Sequence, residues 1–165
     1  MQDSSQNPLI QTYQDFPSQF KSVILATAGA DAQPQASYAP CVVDLDRNIY
    51  IFVSGLSAHT QNLTATGKAS ALFIESESEA TQIFARKRLS YDCQATLVTR
   101  ESDLWQTISQ QFEARFGNII EVMKGLADFR IFQLRPQSGR FVVGFGAAYD
   151  VDPANPNQLI HKTRA

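Results

Sequence analysis

Short segments rich in β-branched and aromatic residues, separated by turn-forming residues, dominate the hydrophobic pattern of the chain. They predict strands at 22–27, 35–44, 49–54 and 69–75. Short turns at 29–34 and 46–48 join the first three of these strands. Parallel neighbours need a connection of roughly a dozen residues, so these three strands are expected to pair antiparallel.

The later strand segments are less regular. Residues 82–98 predict two strand pieces joined around 89–92, and strands at 129–134 and 140–151 are expected to flank a turn at 136–139. The total is about seven strands, without the βαβ alternation of a parallel sheet. A mainly β fold is predicted, a small antiparallel barrel with accessory α-helices.

Four helical segments interrupt the strands. Tyr13, Phe16 and Phe20 recur at helical spacing near the N-terminus. Ser57 is a candidate N-cap for a short helix that Gly67 ends. A helix capped by Ser102 and a shorter one at 118–124 follow. The first of these carries one apolar stripe made of Trp105, Ile108, Phe112 and Phe116.

Length and composition indicate one domain. The chain has 165 residues, and 44% of them are hydrophobic, which suffices for a single core. The expected organisation is an N-terminal helical segment at 1–21, a barrel domain at 22–151 and a C-terminal arm at 152–165.

Charge and cysteine content narrow the function classes. With 14 Lys and Arg against 16 Asp and Glu, the net charge is −2, which argues against a nucleic-acid partner. No apolar run approaches the roughly 20 residues that span a bilayer, and the N-terminus lacks the pattern of a signal peptide. We therefore expect a cytoplasmic protein without a membrane partner. Cys41 and Cys93 lack metal-ligand spacing and are expected to be buried thiols, although a nucleophilic Cys93 is an alternative.

Hydroxyl and imidazole groups cluster where the strand at 49–54 turns into the following helix. Ser54, Ser57, His59 and Thr60 lie in this segment. Free backbone N–H groups at a helix N-terminus attract anions, so the segment is a candidate site for a phosphate or carboxylate. A simple capped helix explains the same residues.

Three consecutive cations stand out in an acidic chain. Arg86, Lys87 and Arg88 offer both bidentate and point-charge contacts to phosphate or carboxylate groups. The alternative is a solvated charged surface.

His161 is a candidate iron ligand near the C-terminus. A ligating imidazole needs an acceptor that fixes its tautomer, and spacing does not choose between Asp128 and Asp150. The alternative is a solvated tail residue. Two glycines around Phe145 predict either a wall against a flat ligand or a barrel corner. Sequence motifs of serine hydrolases, P-loop NTPases, dinucleotide-binding enzymes and HExxH metalloproteases are absent from the chain.

Several blocks, in order, resemble the haem-utilisation proteins of the HugZ/HutZ type, within the flavin-binding split barrels that include pyridoxamine 5′-phosphate oxidase. The blocks are residues 37–40, 50–56, 59–63, 83–89, 127–129 and 139–148. The resemblance covers about residues 22–149. It implies a six-stranded antiparallel split β-barrel that forms a homodimer with ligand sites at the subunit interface.

The resemblance also implies haem as the cofactor and its oxidative breakdown with release of iron. In that family a histidine of the C-terminal arm ligates the iron and an aspartate supports it, and the matching residues here are His161 and Asp128. Arg86, Lys87 and Arg88 would be available to the propionates. Two alternatives stay open: an FMN-dependent oxidoreductase that holds its phosphate with Ser54, Ser57, Thr60 and the basic cluster, and a non-catalytic haem carrier.

Overall fold

The computed structural model describes residues 7–161, and of residue 161 only the backbone. The strands are β1 (Ser22–Ala28), β2 (Pro34–Val43), β3 (Ile49–Ser54), β4 (Lys68–Ile74), β5 (Arg88–Leu97), β6 (Phe129–Gly144), β7 (Ala147–Val151) and β8 (Leu159–His161). The helices are α1 (Pro8–Asp15), α2 (Ala58–Thr66), α3 (Asp103–Phe116) and α4 (Ile119–Lys124). Single 3₁₀ turns occupy Phe16–Gln19 and Ile83–Ala85. None of these helices is long and apolar enough to cross a membrane.

Six antiparallel strands close into a barrel. The strand order is β3-β2-β1-β4-β5-β6, and β6 pairs back onto β3. β7 and β8 extend the sheet beyond the second half of β6. Closure removes exposed strand edges from the barrel itself. The mainly β fold and the six-stranded antiparallel barrel predicted from the sequence are therefore confirmed.

Two hydrophobic clusters explain which segments became strands. Alternate residues of β1 and β5, such as Leu25 and Tyr91, are fully buried in the barrel interior. A second cluster lies outside the barrel, where Trp105, Ile108 and Phe112 of α3 pack against β2, β3 and β6. β3 lies between the two clusters and is buried on both faces, which explains its uninterrupted apolar run.

The helix termini follow local capping chemistry. The Ser102 hydroxyl accepts the Trp105 N–H at 3.2 Å and begins α3. Gly67 ends α2 with φ +64°, a left-handed conformation that favours glycine. The N-terminal helix is shorter than predicted: it ends at Asp15, and the chain continues through a 3₁₀ turn that contains Pro17.

The turn predicted at 136–139 is wrong, because β6 runs through these residues without a break. Pro136 lies opposite Cys93 beside a bulge in the β5–β6 register, where a missing N–H is tolerated. A Cβ at Gly139 would lie 2.7 Å from the Tyr91 ring and 2.8 Å from the Ser90 carbonyl oxygen. Proline and glycine mark a bulge and a close backbone approach here.

Two other strand predictions are corrected. Residues 83–85 form a 3₁₀ turn, and β5 is a single strand rather than two pieces joined around 89–92. The predicted strand 140–151 folds back between Gly144 and Ala147, where Gly146 has φ +73°. The glycines around Phe145 therefore form a hairpin turn. The C-terminal arm adds β8, so the described residues contain eight strands.

Candidate functional site

The predicted site residues lie at two opposite ends of the barrel. Ser54 pairs with Phe129, the first residue of β6, whereas Arg88 pairs with Val142, near its last residue. The ten residues of β5 run between these ends, which is roughly 30 Å of extended chain. We call them the hydroxyl end, with Ser54, Ser57, His59, Thr60 and Asp128, and the cation end, with Phe84, Arg86, Lys87, Arg88 and Phe145.

Asp128 and Ser54 form the centre of the hydroxyl end. The Ser54 hydroxyl donates to Asp128 Oδ2 at 2.9 Å, and the Gly55 N–H donates to the Asp128 carbonyl at 2.7 Å. A Cβ at Gly55 would lie 2.8 Å from that carbonyl oxygen. The strand end and the start of β6 are thus held together at a distance that only glycine accommodates.

α2 is fixed to this end by its first turns. The Thr60 hydroxyl donates to the Ser54 carbonyl at 2.6 Å, and Thr60 is fully buried. Thr60 therefore holds the helix on β3. Ser57 is the N-cap, but its side chain makes no capping hydrogen bond. The hydroxyl is accordingly not committed to the helix.

His59 is half-buried between α2 and β2. Its Nδ1 lies 3.0 Å from the Ser37 hydroxyl. Burial lowers the pKa of the His59 imidazole below its ordinary value, so the ring is neutral at pH 7. A neutral imidazole here can donate or accept one hydrogen bond but adds no charge.

At the cation end, the three basic residues are partly engaged by the preceding loop. The Arg86 guanidinium donates to the Glu75 carbonyl and lies 3.6 Å from the exposed Glu77 carboxylate. The Lys87 N–H donates to the Glu75 carboxylate at 2.5 Å, and Arg88 donates to the Arg86 carbonyl at 3.1 Å. The cluster is ordered by backbone contacts, and the one ion pair that it forms among the described residues is long and solvent-exposed, hence weak.

Large apolar side chains are exposed beside these cations. Phe84 is 86% exposed immediately before the cluster, and Phe145 is 83% exposed at the β6–β7 turn. The turn that carries Phe84 contacts β6. Exposed aromatic rings next to cations form a surface suited to a ligand with an apolar body and anionic groups.

The backbone of His161 belongs to the cation end. In register, Leu89 pairs with Phe141, Phe141 with Tyr149, and Tyr149 with His161. Its side chain lies outside the described part of the protein. Asp128 precedes the other end of β6, so within one chain Asp128 and His161 are not neighbours. Groups of three or more metal-ligating side chains are absent from the described residues.

Three residues near the hydroxyl end were missed by the sequence reasoning. Arg130 places its guanidinium carbon 3.7 Å from the position of a Cβ at Gly55. Arg100 donates to the carbonyls of Lys124 and Phe129, on either side of Asp128. Ser37 contacts His59. Single basic residues and serines carry no sequence signal of such contacts, because the contacts join distant segments.

The two cysteines are buried and unpaired, as expected from the sequence. Burial raises the pKa of both the Cys41 and the Cys93 thiol to about 12. Neither thiol is ionised at neutral pH, which argues against the nucleophilic alternative for Cys93.

Comparison with known proteins agrees with this architecture. The family model described as pyridoxamine 5′-phosphate oxidase matches residues 9–143. HutZ of Vibrio cholerae, named a heme oxygenase, is 38% identical over 160 residues, which cover 97% of this chain and 90% of that protein.

Two solved structures share the fold. The crystal structure of Vibrio cholerae HutZ, described as a heme storage protein, matches with a TM-score of 0.76 and 36% identity, over 81% of this chain and 94% of that one. Campylobacter jejuni ChuZ matches with a TM-score of 0.83 and 32% identity. That match covers 98% of this chain and 64% of the ChuZ chain.

The closed barrel with β3 paired to β6 defines the molecule as a split β-barrel protein. The chain belongs to the pyridoxamine 5′-phosphate oxidase family and, within it, to the proteins of the HutZ type.

Proposed function

We propose that this protein binds haem between two copies of the chain and breaks the haem down oxidatively, releasing iron. The observation that carries the proposal is the 38% identity, over 97% of the chain, to a protein named heme oxygenase. A cytoplasmic location is part of the proposal, since two buried free thiols are compatible with a reducing compartment.

The cation end fits haem chemically. Haem is a flat apolar ring with two carboxylate groups and a central iron. Phe84 and Phe145 offer exposed apolar surface, and Arg86, Lys87 and Arg88 offer partners for carboxylates. The exposed Glu77 carboxylate, 3.6 Å from Arg86, is a weak competitor that a propionate can displace. His161, whose backbone pairs with Tyr149 of the neighbouring strand β7, is the proposed iron ligand.

The separation of the two ends supports a homodimer. Asp128 can orient the His161 imidazole only if it comes from a second copy, because the two residues lie toward opposite ends of β6. A two-fold dimer that sets the hydroxyl end of one copy against the cation end of the other would contain two equivalent sites. The Ser54 hydroxyl would then hold the Asp128 carboxylate in position as the imidazole acceptor.

Bound haem supplies the oxygen chemistry. Arg86, Lys87 and Arg88 would bind the propionates, and Asp128 would hold the His161 imidazole in one tautomer. Strengthening the hydrogen bond to the ligating imidazole raises its basicity, and Asp128 is proposed for this role.

Two alternatives are each favoured by a specific observation. The HutZ crystal structure is described as that of a heme storage protein, which favours a non-catalytic carrier. The matching family model is named for pyridoxamine 5′-phosphate oxidase, which favours FMN. The N-terminus of α2 and Arg130 beside Gly55 would then face the FMN phosphate.

The test is a hemin titration of the purified protein, followed by addition of ascorbate under air. A saturable Soret shift at one haem per chain, with bleaching and iron release after ascorbate, is the expected result. Saturable binding without bleaching would instead establish the carrier. A flavin absorption spectrum without saturable haem binding would replace the proposal by the FMN alternative.

The dimer is tested by mixing two variants, His161→Ala and Asp128→Ala, which each lose the ligated haem spectrum. Statistical exchange of subunits should restore about a quarter of the sites, because half of the dimers are mixed and each mixed dimer has one intact site. Failure of the mixture to recover any ligated spectrum would contradict the contribution of both copies to one site.

A further inference from the structure

A cluster of polar side chains from three distant segments holds the loop before β8. The loop at 152–158 connects β7 to β8 and closes on itself through the Asp152 N–H and the Gln158 carbonyl at 3.0 Å. β8 is only three residues long and pairs with β7 alone. So short a terminal strand is marginal unless the chain before it is tied down.

Two residues of this loop make the long-range contacts. The Pro156 carbonyl accepts the Tyr13 hydroxyl at 2.6 Å, and the Asn157 carbonyl accepts the Gln14 side chain at 3.2 Å. The Asn157 side chain accepts Arg47 Nε at 2.8 Å and donates to the Leu45 carbonyl at 3.4 Å. Helix α1 and the β2–β3 turn thus hold both residues, from more than 100 positions away.

The Tyr13 contact reaches into the barrel core. Tyr13 and Tyr91 are fully buried, and their hydroxyl oxygens are 2.7 Å apart. Burial raises the pKa of both hydroxyls, so both keep their protons. A carbonyl only accepts, so Tyr13 donates to Pro156 and Tyr91 donates to Tyr13. The loop is therefore connected by hydrogen bonds to β5.

Arg47 is an unusual residue to find buried. It is 8% exposed and has φ +69°, which a non-glycine residue rarely adopts. Its guanidinium lies 5.7 Å from the Tyr13 ring centre and donates to the Gln14 carbonyl at 2.6 Å. Among the described residues Arg47 forms no ion pair. A buried charge in a strained conformation, satisfied by a carbonyl and an amide, indicates a contact that the fold holds in place.

We propose that Tyr13, Arg47 and Asn157 are positioning residues that fix the arm and thereby place His161 for its role as iron ligand. The inference rests on the proposed function, since it takes His161 as the ligand. In this view haem binds tightly only when the arm is fixed, and the apparent affinity falls with the fraction of molecules whose arm is in place.

The central variant is Asn157→Ala, because Asn157 lies outside the barrel core and we expect the barrel to fold without its side chain. Gln158→Ala is the matched control: it removes an amide side chain of the same loop that makes no hydrogen bond to another described residue. Tyr13→Phe is a second variant, which removes the hydroxyl and with it both the contact to Pro156 and the hydrogen bond from Tyr91.

The first measurement is hydrogen exchange of the haem-free protein, followed by mass spectrometry of peptides. We expect faster exchange at 151–161 in Asn157→Ala and Tyr13→Phe, unchanged exchange in β1–β4, and wild-type behaviour in Gln158→Ala. This result does not depend on haem. Unchanged exchange at 151–161 in both variants would overturn the proposal even if the protein binds haem.

The second measurement is the haem spectrum and affinity of the same variants. We expect affinity to fall by about tenfold with partial loss of the histidine-ligated spectrum, and added imidazole to restore that spectrum because the pocket itself is intact. A looser arm with unchanged haem affinity and spectrum would reduce the cluster to a structural role and overturn the proposal. If the wild-type protein binds no haem, the proposed function fails, while the exchange result still reports on the arm.

Discussion

The two ends of the barrel differ in what their predicted site residues contact. At the hydroxyl end, Ser54, Thr60 and Asp128 are engaged in short hydrogen bonds to one another or to the backbone. At the cation end, Phe84 and Phe145 are almost fully exposed. Hydrogen bonds within the protein therefore stabilise the hydroxyl end, whereas the cation end presents exposed rings that a ligand can contact. Changes at Ser54 and Gly55 should therefore alter folding stability, and changes at the exposed rings of the cation end should alter ligand binding without altering stability.

The largest expected effect concerns the close backbone approach at the hydroxyl end. Gly55→Ala places a methyl group 2.8 Å from the Asp128 carbonyl oxygen and should lower the free energy of unfolding by about 2 kcal/mol. Gly144→Ala, at the last residue of β6, is the control, since no atom lies within 4 Å of the added Cβ. Urea unfolding measures both. Equal stability of the two variants would remove the distinction between the ends.

The second-largest expected effect concerns the hydrogen bond from Ser54 to Asp128. Ser54→Ala removes the donor at 2.9 Å from Asp128 Oδ2, and the loss should be about 1 kcal/mol of unfolding free energy. Ser57→Ala is the matched change, because the Ser57 side chain makes no capping bond. It should leave stability within about 0.5 kcal/mol of the wild type. A larger loss in Ser57→Ala than in Ser54→Ala would show that the hydroxyls have been assigned the wrong roles.

At the cation end we expect haem affinity to change and the free energy of unfolding to stay nearly constant. Phe84→Ser exchanges an 86% exposed ring for a polar side chain and should change the free energy of unfolding by less than about 0.5 kcal/mol. Haem affinity should nevertheless fall, because apolar surface for the ring is lost. Leu45→Ser, which is 88% exposed in the β2–β3 turn, is the control and should leave both quantities unchanged. Wild-type haem affinity in Phe84→Ser would remove the ring contact from the proposal.

The smallest effect is a pH dependence at the hydroxyl end. Burial lowers the pKa of His59 in the folded protein, so below the ordinary histidine pKa of about 6.5 the unfolded chain binds more protons than the folded one. The His59 contribution to stability is therefore present above the unfolded pKa, and is lost as the pH falls from that value through the lower folded pKa. We expect the free energy of urea unfolding to change less steeply with pH, between about pH 7.5 and about pH 5.5, in His59→Gln than in the wild type. An unchanged slope would exclude His59 as a contributor.

Sequence patterns alone predicted the elements whose signals are local. Runs rich in β-branched and aromatic residues identified β1 and most of β4, and the Ser102 cap with its apolar stripe identified α3. The resemblance blocks predicted the split barrel, which the structure and the comparisons confirm. Such signals can be recognised in the sequence because each depends on residues within a few positions of one another.

Only the tertiary structure showed the roles of Pro136 and Gly139. Proline and glycine are ordinary turn residues, and only the bulge opposite Cys93 and the approach of Tyr91 show why they stand inside a strand. The roles of Arg86, Lys87, Arg88 and His161 as ligand contacts remain predictions.

The sequence by itself determined that this chain forms a mainly β barrel and which residue types could carry its chemistry. Only the tertiary structure decided that the hydroxyl and cation groups lie at opposite ends, and that Tyr13, Arg47 and Asn157 meet. The physical reason is that strand order, barrel closure and buried hydrogen bonds join residues far apart in the chain. No local pattern encodes which distant partner a side chain will find.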